Sequence, residues 1–248
     1  MMERPSMAAE APSSAAVPTS PDSADLARRA QFLATEHWSL LATRSMSWNE
    51  AFSRTAMFLS TLSAATVALA LAGPAMAFGE GFELFALIVL AVTLFLGVAT
   101  YVRLVQVNNE DILWVVGMNR LRGAYTRIAP GIEEDFISGW TLDPQGVSKT
   151  FGAIDVTTAS PLHAFVTTPA IVAVIASVLA GMIGGLLAVQ FGAQVDTAII
   201  AGIVIFAATC TAMLFYGVRE YRRFIARLAL EHGVPLDNAT DGEPVTPR

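Results

Sequence analysis

Charged side chains are missing from four long intervals of the chain. Between Arg54 and Glu80 lie 25 residues without Asp, Glu, Lys or Arg, and between Glu83 and Arg103 lie 19. At about 1.5 Å rise per residue, either interval lets a helix cross a hydrocarbon core about 30 Å thick. The interval from Asp155 to Asp196 holds 40 uncharged residues, but Pro161 and Pro169 interrupt its first part, so the usable helix begins near Thr168 and ends near Phe191. The 22 residues between Asp196 and Arg219 make the fourth interval. Segments 79–83 and 192–196, which link first to second and third to fourth, are too short to cross anything. The pattern therefore predicts an all-α integral membrane protein of four transmembrane helices arranged as two hairpins, residues 55–106 and 168–218, with cytoplasmic amphipathic helices.

Outside those intervals the apolar positions recur at helical spacing. From about Ser23 to Arg54 there is no Pro or Gly, and Ala27, Ala30, Ala34, Trp38, Leu41, Ser45, Trp48 and Phe52 follow at three- and four-residue steps. Segment 23–54 thus reads as an amphipathic helix running into the first span. Segment 107–167 reads as a helix and loop: Asn108-Asn109-Glu110-Asp111 offers capping groups for a helix start, and Pro130-Gly131 stops it. Its apolar stripe is Trp114, Met118, Leu121, Tyr125 and Ile128, with Asn119, Arg122 and Thr126 turned away. Segment 1–22, an Ala/Pro/Ser mixture, reads as a disordered, retained tail rather than a signal peptide. Segment 219–248 reads as a basic cytoplasmic helix end, stopped by Gly233 and Pro235, with a polar tail.

Composition agrees with this picture and narrows it. With 54% hydrophobic and 15% charged residues and a mean hydropathy of +0.55, an ordinary soluble enzyme is excluded. One cysteine cannot form a disulfide within the chain. The net charge of −6 asks for no nucleic-acid partner. All 15 Lys and Arg lie in segments 1–54, 103–155 and 219–248, while the two short links carry only Glu80, Glu83 and Asp196. The positive-inside rule then places both termini and the central loop in the cytoplasm. Lys149 is the single lysine among many arginines and alanine is abundant, as in proteins of GC-rich bacteria. The expected location is accordingly the bacterial inner (plasma) membrane, crossed several times.

The search for chemistry yields no catalytic, metal or cofactor-binding residue. His37, His163 and His232 lie in separate segments without a second ligand at i+3 or i+4. Cys210 falls inside the fourth span, where a thiol is a small apolar group. Glu133, Glu134 and Asp135 read as the solvated first turn of a short helix rather than a cation site or an acid–base pair. A membrane enzyme would need Glu110 and Asp111 to converge with His163. The four spans lack Asp, Glu, Lys, Arg and His, so transport coupled to protons or sodium is not expected.

The candidate sites are therefore surfaces. Trp38, Trp48, Trp114, Met118, Leu121 and Tyr125 form helix stripes that either pack on one another or bind a partner. Gly181 and Gly185 belong to a small-residue ladder with Ala173 and Ser177 in the third span, and Ala56, Ser60, Ala64, Ala68 and Ala72 form one in the first. Such ladders let helix backbones approach closely, within the chain or between copies. Arg219, Arg222, Arg223 and Arg227 beside Tyr216 and Tyr221 form a cluster fit for anionic lipid, although snorkelling explains it equally.

The stretch Leu41-Ala42-Thr43-Arg44-Ser45-Met46-Ser47-Trp48-Asn49-Glu50, and the stretch from Trp114 to Arg122, resemble a family of uncharacterised actinobacterial integral membrane proteins. That resemblance spans about residues 35 to 215 and implies the architecture alone. Segment 23–130 is also similar in outline to the SLATT proteins, in which a two-helix membrane hairpin flanked by cytoplasmic helices is thought to act as an effector in bacterial conflict; segment 168–218 departs from it. The function expected is a non-enzymatic inner-membrane scaffold or accessory protein without cofactor. Its partners are the lipid bilayer and either a second copy or another membrane protein. The alternative is an oligomeric pore or channel-type effector, for which Ser60, Thr61, Ser63, Thr66, Thr93 and Thr100 supply polar positions in the spans.

Overall fold

The computed structural model describes residues 21–152 and 167–233. Every regular element in them is helical: α1 (Pro21–Ala75), α2 (Glu80–Ile128), a short 3-10 turn (Ile132–Asp135), α3 (Pro144–Thr150), α4 (Thr168–Gln190) and α5 (Val195–His232). Four of them, α1, α2, α4 and α5, are long and apolar enough to cross a membrane. At 55 and 49 residues, α1 and α2 run about 80 and 75 Å, more than twice a hydrocarbon core. Each therefore carries an apolar half and a charged half on one continuous rod.

Continuity corrects one expectation. Asn108-Asn109-Glu110-Asp111 does not start a helix: α2 passes through it unbroken. Its side chains resemble capping groups, but Glu110 and Asp111 face arginines on other turns and other helices, so the backbone has no reason to break there. The stop at Pro130-Gly131 does occur; α2 ends at Ile128 and Gly131 takes φ 94°, a left-handed value that suits glycine.

Between α1 and α2 the chain turns on Ala77 and Phe78, both at positive φ (49° and 52°). Phe78 N–H returns to the Gly73 carbonyl at 3.0 Å. The Phe78 ring covers Gly73, where a Cβ would lie 2.5 Å from it, and meets Phe82 edge-on at 5.3 Å. This packing compensates for the unfavourable left-handed backbone.

Because α2 touches α1, α4 and α5, it forms the hub of the bundle. In the apolar region Phe58 of α1 packs against Gly97 of α2, where an added Cβ would lie 2.9 Å from the ring. Leu90, Leu104, Val172, Ala173, Ala176 and Leu179 complete that core. The closest approach joins α4 and α5: a Cβ on Gly181 would lie 2.8 Å from the Gly202 carbonyl oxygen, and one on Gly202 would lie 2.9 Å from that of Gly181. The ladder Ala173, Ser177, Gly181 of α4 is thus consumed by packing within the chain. Its counterpart on α1 is not, since Ala56, Ser60 and Ala64 remain exposed. Val67, Leu71, Val92, Phe95, Ile200 and Ile203 are also exposed, an outer apolar surface far larger than a water-soluble monomer presents.

A second core lies among the charged halves. Val115, Val116 and Met118 of α2 meet Val147 of α3 and Leu228 of α5, with Leu40 and Phe224 at the edge. The projecting ends of α1, α2 and α5 are thereby one packed unit rather than separate rods.

Candidate functional site

Polar side chains buried between helices must find partners there, since an unpaired carboxylate or amide out of water costs several kcal/mol. Asp111 is 5% exposed. Arg44 reaches it across the α1–α2 seam with Nε to Oδ1 at 2.6 Å and Nη2 to Oδ2 at 3.0 Å, and Trp48 Nε1 donates to Oδ1 at 2.9 Å. The guanidinium also sits over the Phe151 ring, 5.9 Å from its centroid. Both carboxylate oxygens are satisfied and the arginine fork is fixed.

About two turns nearer the apolar region, Glu50 binds Arg54 Nε at 2.8 Å and Arg103 Nη2 at 2.9 Å, and Arg103 Nη1 continues to Glu110 at 2.9 Å. Hydrogen bonds from Arg103 and Arg54 hold the Glu50 carboxyl below its ordinary range. Together these pairs form a polar belt where the apolar intervals of α1 and α2 begin.

A third arrangement centres on Asn119, which is fully buried. Its Nδ2 donates to the carbonyls of Thr141 (2.9 Å) and Gly146 (3.1 Å), while Oδ1 accepts from Arg122 Nη1 (2.9 Å) and Thr150 Oγ1 (2.7 Å). Arg122 Nη1 also donates to the Gly139 carbonyl at 3.2 Å. These bonds fasten segment 139–150 onto α2. Asp143 caps α3 by accepting from Gly146 N–H at 3.1 Å. Glycine is required at 139, where a Cβ would overlap the Gly146 carbonyl.

The stripes expected from periodicity are redistributed by this network. Arg44, which is not in the stripe read from periodicity, lies in the α1–α2 seam with His37, Leu40 and Ala51, so the packing face of α1 is turned from that stripe. Trp38 is 72% exposed and does not join the core. Trp48 and Met118 are packed, Leu121 and Tyr125 are half-buried, and Trp114 is half-buried with an enclosed Nε1 that has no hydrogen-bond partner. Asn119 and Arg122 are not turned to solvent as expected; they hold the segment before and through α3. Gly181 is buried at the α4–α5 crossing and Gly185 is half-buried beside it. Arg219, Arg222, Arg223 and Arg227 are all exposed, with Arg223 paired to Glu220 at 2.9 Å. His163 and its convergence with Glu110 and Asp111 lie outside the described residues. Among the described residues no three His, Cys, Asp or Glu side chains gather as a metal site requires. Glu133 to Asp135 form the 3-10 turn, where Glu133 Oε2 accepts from Gly131 N–H.

The chain matches no family model, no curated protein and no solved structure. The site is consequently defined by its own geometry. At the far end of the α1–α2 seam a shallow groove of about 320 Å³ is lined by Ala34, His37, Trp38, Leu41 and Tyr125. His37 and Tyr125 stack there with centroids 6.2 Å apart and planes at 18°.

Two expected outcomes follow from these placements. Trp38→Asp should leave the thermal midpoint in detergent nearly unchanged, because the ring is already in solvent. Trp114→Phe should be neutral or stabilise by about 1 kcal/mol, because it removes a buried donor that has no acceptor. A large loss of stability in Trp38→Asp would show that α1 packs through the other face.

Partial burial, and then the nearby Arg122 charge, lower the His37 pKa from 6.5. The unfolded chain therefore binds a proton more readily than the folded one as pH drops below about 6.5. The stability contributed by neutral His37 is present above that value and is lost as pH falls through the folded pKa. Glu50 acts in the same direction in a lower window, beneath its ordinary 4.5. Thermal midpoints taken from pH 7.5 to 5.5 should decline in the natural chain and flatten in His37→Gln; identical slopes would remove His37 from this role.

Proposed function

We propose that the chain crosses a bacterial inner membrane four times as two hairpins, with both termini and segment 103–155 in the cytoplasm, and that it works as a non-enzymatic scaffold or accessory subunit. The cytoplasmic projection of α1, α2 and α5 presents the side of α1 that faces away from α2 to a membrane-protein partner. The observation carrying this reading is that Phe32, Trp38 and Met46, 69%, 72% and 71% exposed, stand out from a helix held to α2 by the Arg44–Asp111 pair. Large apolar residues held out in water on a fixed rod favour association. The distribution of arginine supports the orientation, and the exposed Arg219, Arg222 and Arg227 after the last apolar interval suit a headgroup layer of anionic lipid.

A pore reading draws little support from the polar positions in the apolar helices. Thr61, Ser63, Thr66 and Thr93 donate to carbonyls four residues earlier on their own helix at 2.8–3.0 Å, which satisfies them without a water column. The exposed Ala56, Ser60 and Ala64 face of α1 is where self-association would occur.

Topology is tested with single cysteines at Gly81 and Ala193 in a Cys210→Ala background, where labelling from the periplasmic side is expected. Labelling from the cytoplasmic side alone would overturn the orientation. Function is tested with a photocrosslinking residue at Trp38 and, as a control, at Met57. A discrete adduct from position 38 and none from 57, together with dye-loaded proteoliposomes that stay tight, is the expected result. Dye release by the purified chain would replace the scaffold with the pore.

A further inference from the structure

The polar network neutralises most of its cations and, among the described residues, leaves Arg122 without an acid. Arg44 is paired with Asp111, and Arg54 and Arg103 with Glu50. Arg122, half-buried, donates through Nη1 to two uncharged acceptors, Asn119 Oδ1 and the Gly139 carbonyl. Among the described residues no carboxylate lies within ion-pair distance of it. The Arg44 charge nearby adds to the positive potential, and burial and that charge, in this order, lower the Arg122 pKa. A guanidinium partly withdrawn from water without a counter-charge is a standing cost that an anion relieves.

We propose that Arg122 and the groove at the end of the α1–α2 seam form a binding site for a small aromatic monocarboxylate. Arg122 lies one helical turn from Tyr125, a wall of that groove, and its charge is felt by His37, which forms another. With Nη1 held by Asn119 and Gly139, the guanidinium plane is fixed, and among the described residues its Nε–Nη2 edge keeps two parallel donors, the geometry that a carboxylate accepts in bidentate fashion. One uncompensated charge matches a monoanion; a phosphate dianion would call for a second free cation, and Arg44 is already engaged. About 320 Å³ is at the small end of ligand sites and suits one or two rings. The stacked His37 and Tyr125 rings and the exposed Trp38 indole offer flat apolar surfaces for such a body. The site is independent of the scaffold reading, since it needs no protein partner, and it would make the projecting unit responsive to a small molecule.

The test is calorimetric titration of the full chain, in a neutral detergent, with indole-3-acetate as probe. Neutral indole and inorganic phosphate are titrated in parallel. Saturable binding of indole-3-acetate is expected, with indole and phosphate each at least about tenfold weaker. Arg122→Gln should abolish binding, but it also loosens the hold on segment 139–150, so Ala34→Trp supplies a second variant. Ala34 is exposed, and a tryptophan there fills the groove without touching the core. Ala34→Trp is expected to weaken binding at least about tenfold at an unchanged thermal midpoint. Binding of indole equal to that of its acid, binding indifferent to Ala34→Trp, or no saturation below about 10 mM would each overturn the site.

Discussion

Replacing Arg44 with alanine is expected to lower the unfolding free energy of the chain in detergent by about 3 kcal/mol, because it leaves Asp111 buried with only Trp48 as donor. The two possible breaks of this pair are unequal. Asp111→Asn leaves Arg44 behind, but that side chain is 27% exposed and can turn toward water, whereas the carboxylate, 6% exposed, cannot. Arg44→Ala should accordingly destabilise more than Asp111→Asn. The double substitution Arg44→Met, Asp111→Leu should recover much of the loss, since apolar side chains of similar volume avoid desolvating either charge. Thermal midpoints of the three variants check the order. If Arg44→Ala is harmless, the pair is an exposed contact and α1 is not fixed against α2 by it.

Gly181→Leu is expected to be the most damaging single change among the apolar helices. A Cβ at this position already lies 2.8 Å from a backbone carbonyl of α5 and 3.1 Å from the Phe206 Cβ, so the two helices must separate to admit any side chain. Overpacking of this kind costs about 1–3 kcal/mol for a methylene or two and more for a whole leucine. Close backbone approach is also where helices in lipid gain their dispersion contacts. At Gly185 the nearest obstacle to a Cβ is the Ala198 carbonyl at 3.3 Å, so Gly185→Ala should be tolerated or only mildly destabilising. Accumulation in the membrane and the midpoint of thermal unfolding should both fall sharply for Gly181→Leu and little for Gly185→Ala. A Gly181→Leu protein that remains stable but changes oligomeric state would assign this face to contacts between copies.

Four helices long and apolar enough to cross a membrane were legible in the residues themselves, because the rule that marks them is one each segment obeys alone: no charge over the width of a bilayer. The stop of α2 at Pro130-Gly131 is equally local, since a proline lacks the donor a helix needs and glycine accepts a left-handed backbone. What happens beside the apolar intervals is not local. Asp111 draws its partners from 63 and 67 residues away, and Asn119 ties residues 22 and 27 positions further along. Periodicity assigns such polar residues to solvent, because it weighs each side chain by its affinity for water and contains nothing about a partner on another helix. For that reason Asn108 to Asp111 looked like a helix start, and Asn119 and Arg122 looked turned away. The number and extent of the apolar helices were written in the order of residues; the seam between α1 and α2, the anchoring of α3, and the groove beside Arg122 exist only once distant polar groups have met, since a buried hydrogen bond has two ends and the sequence near either one records only its own.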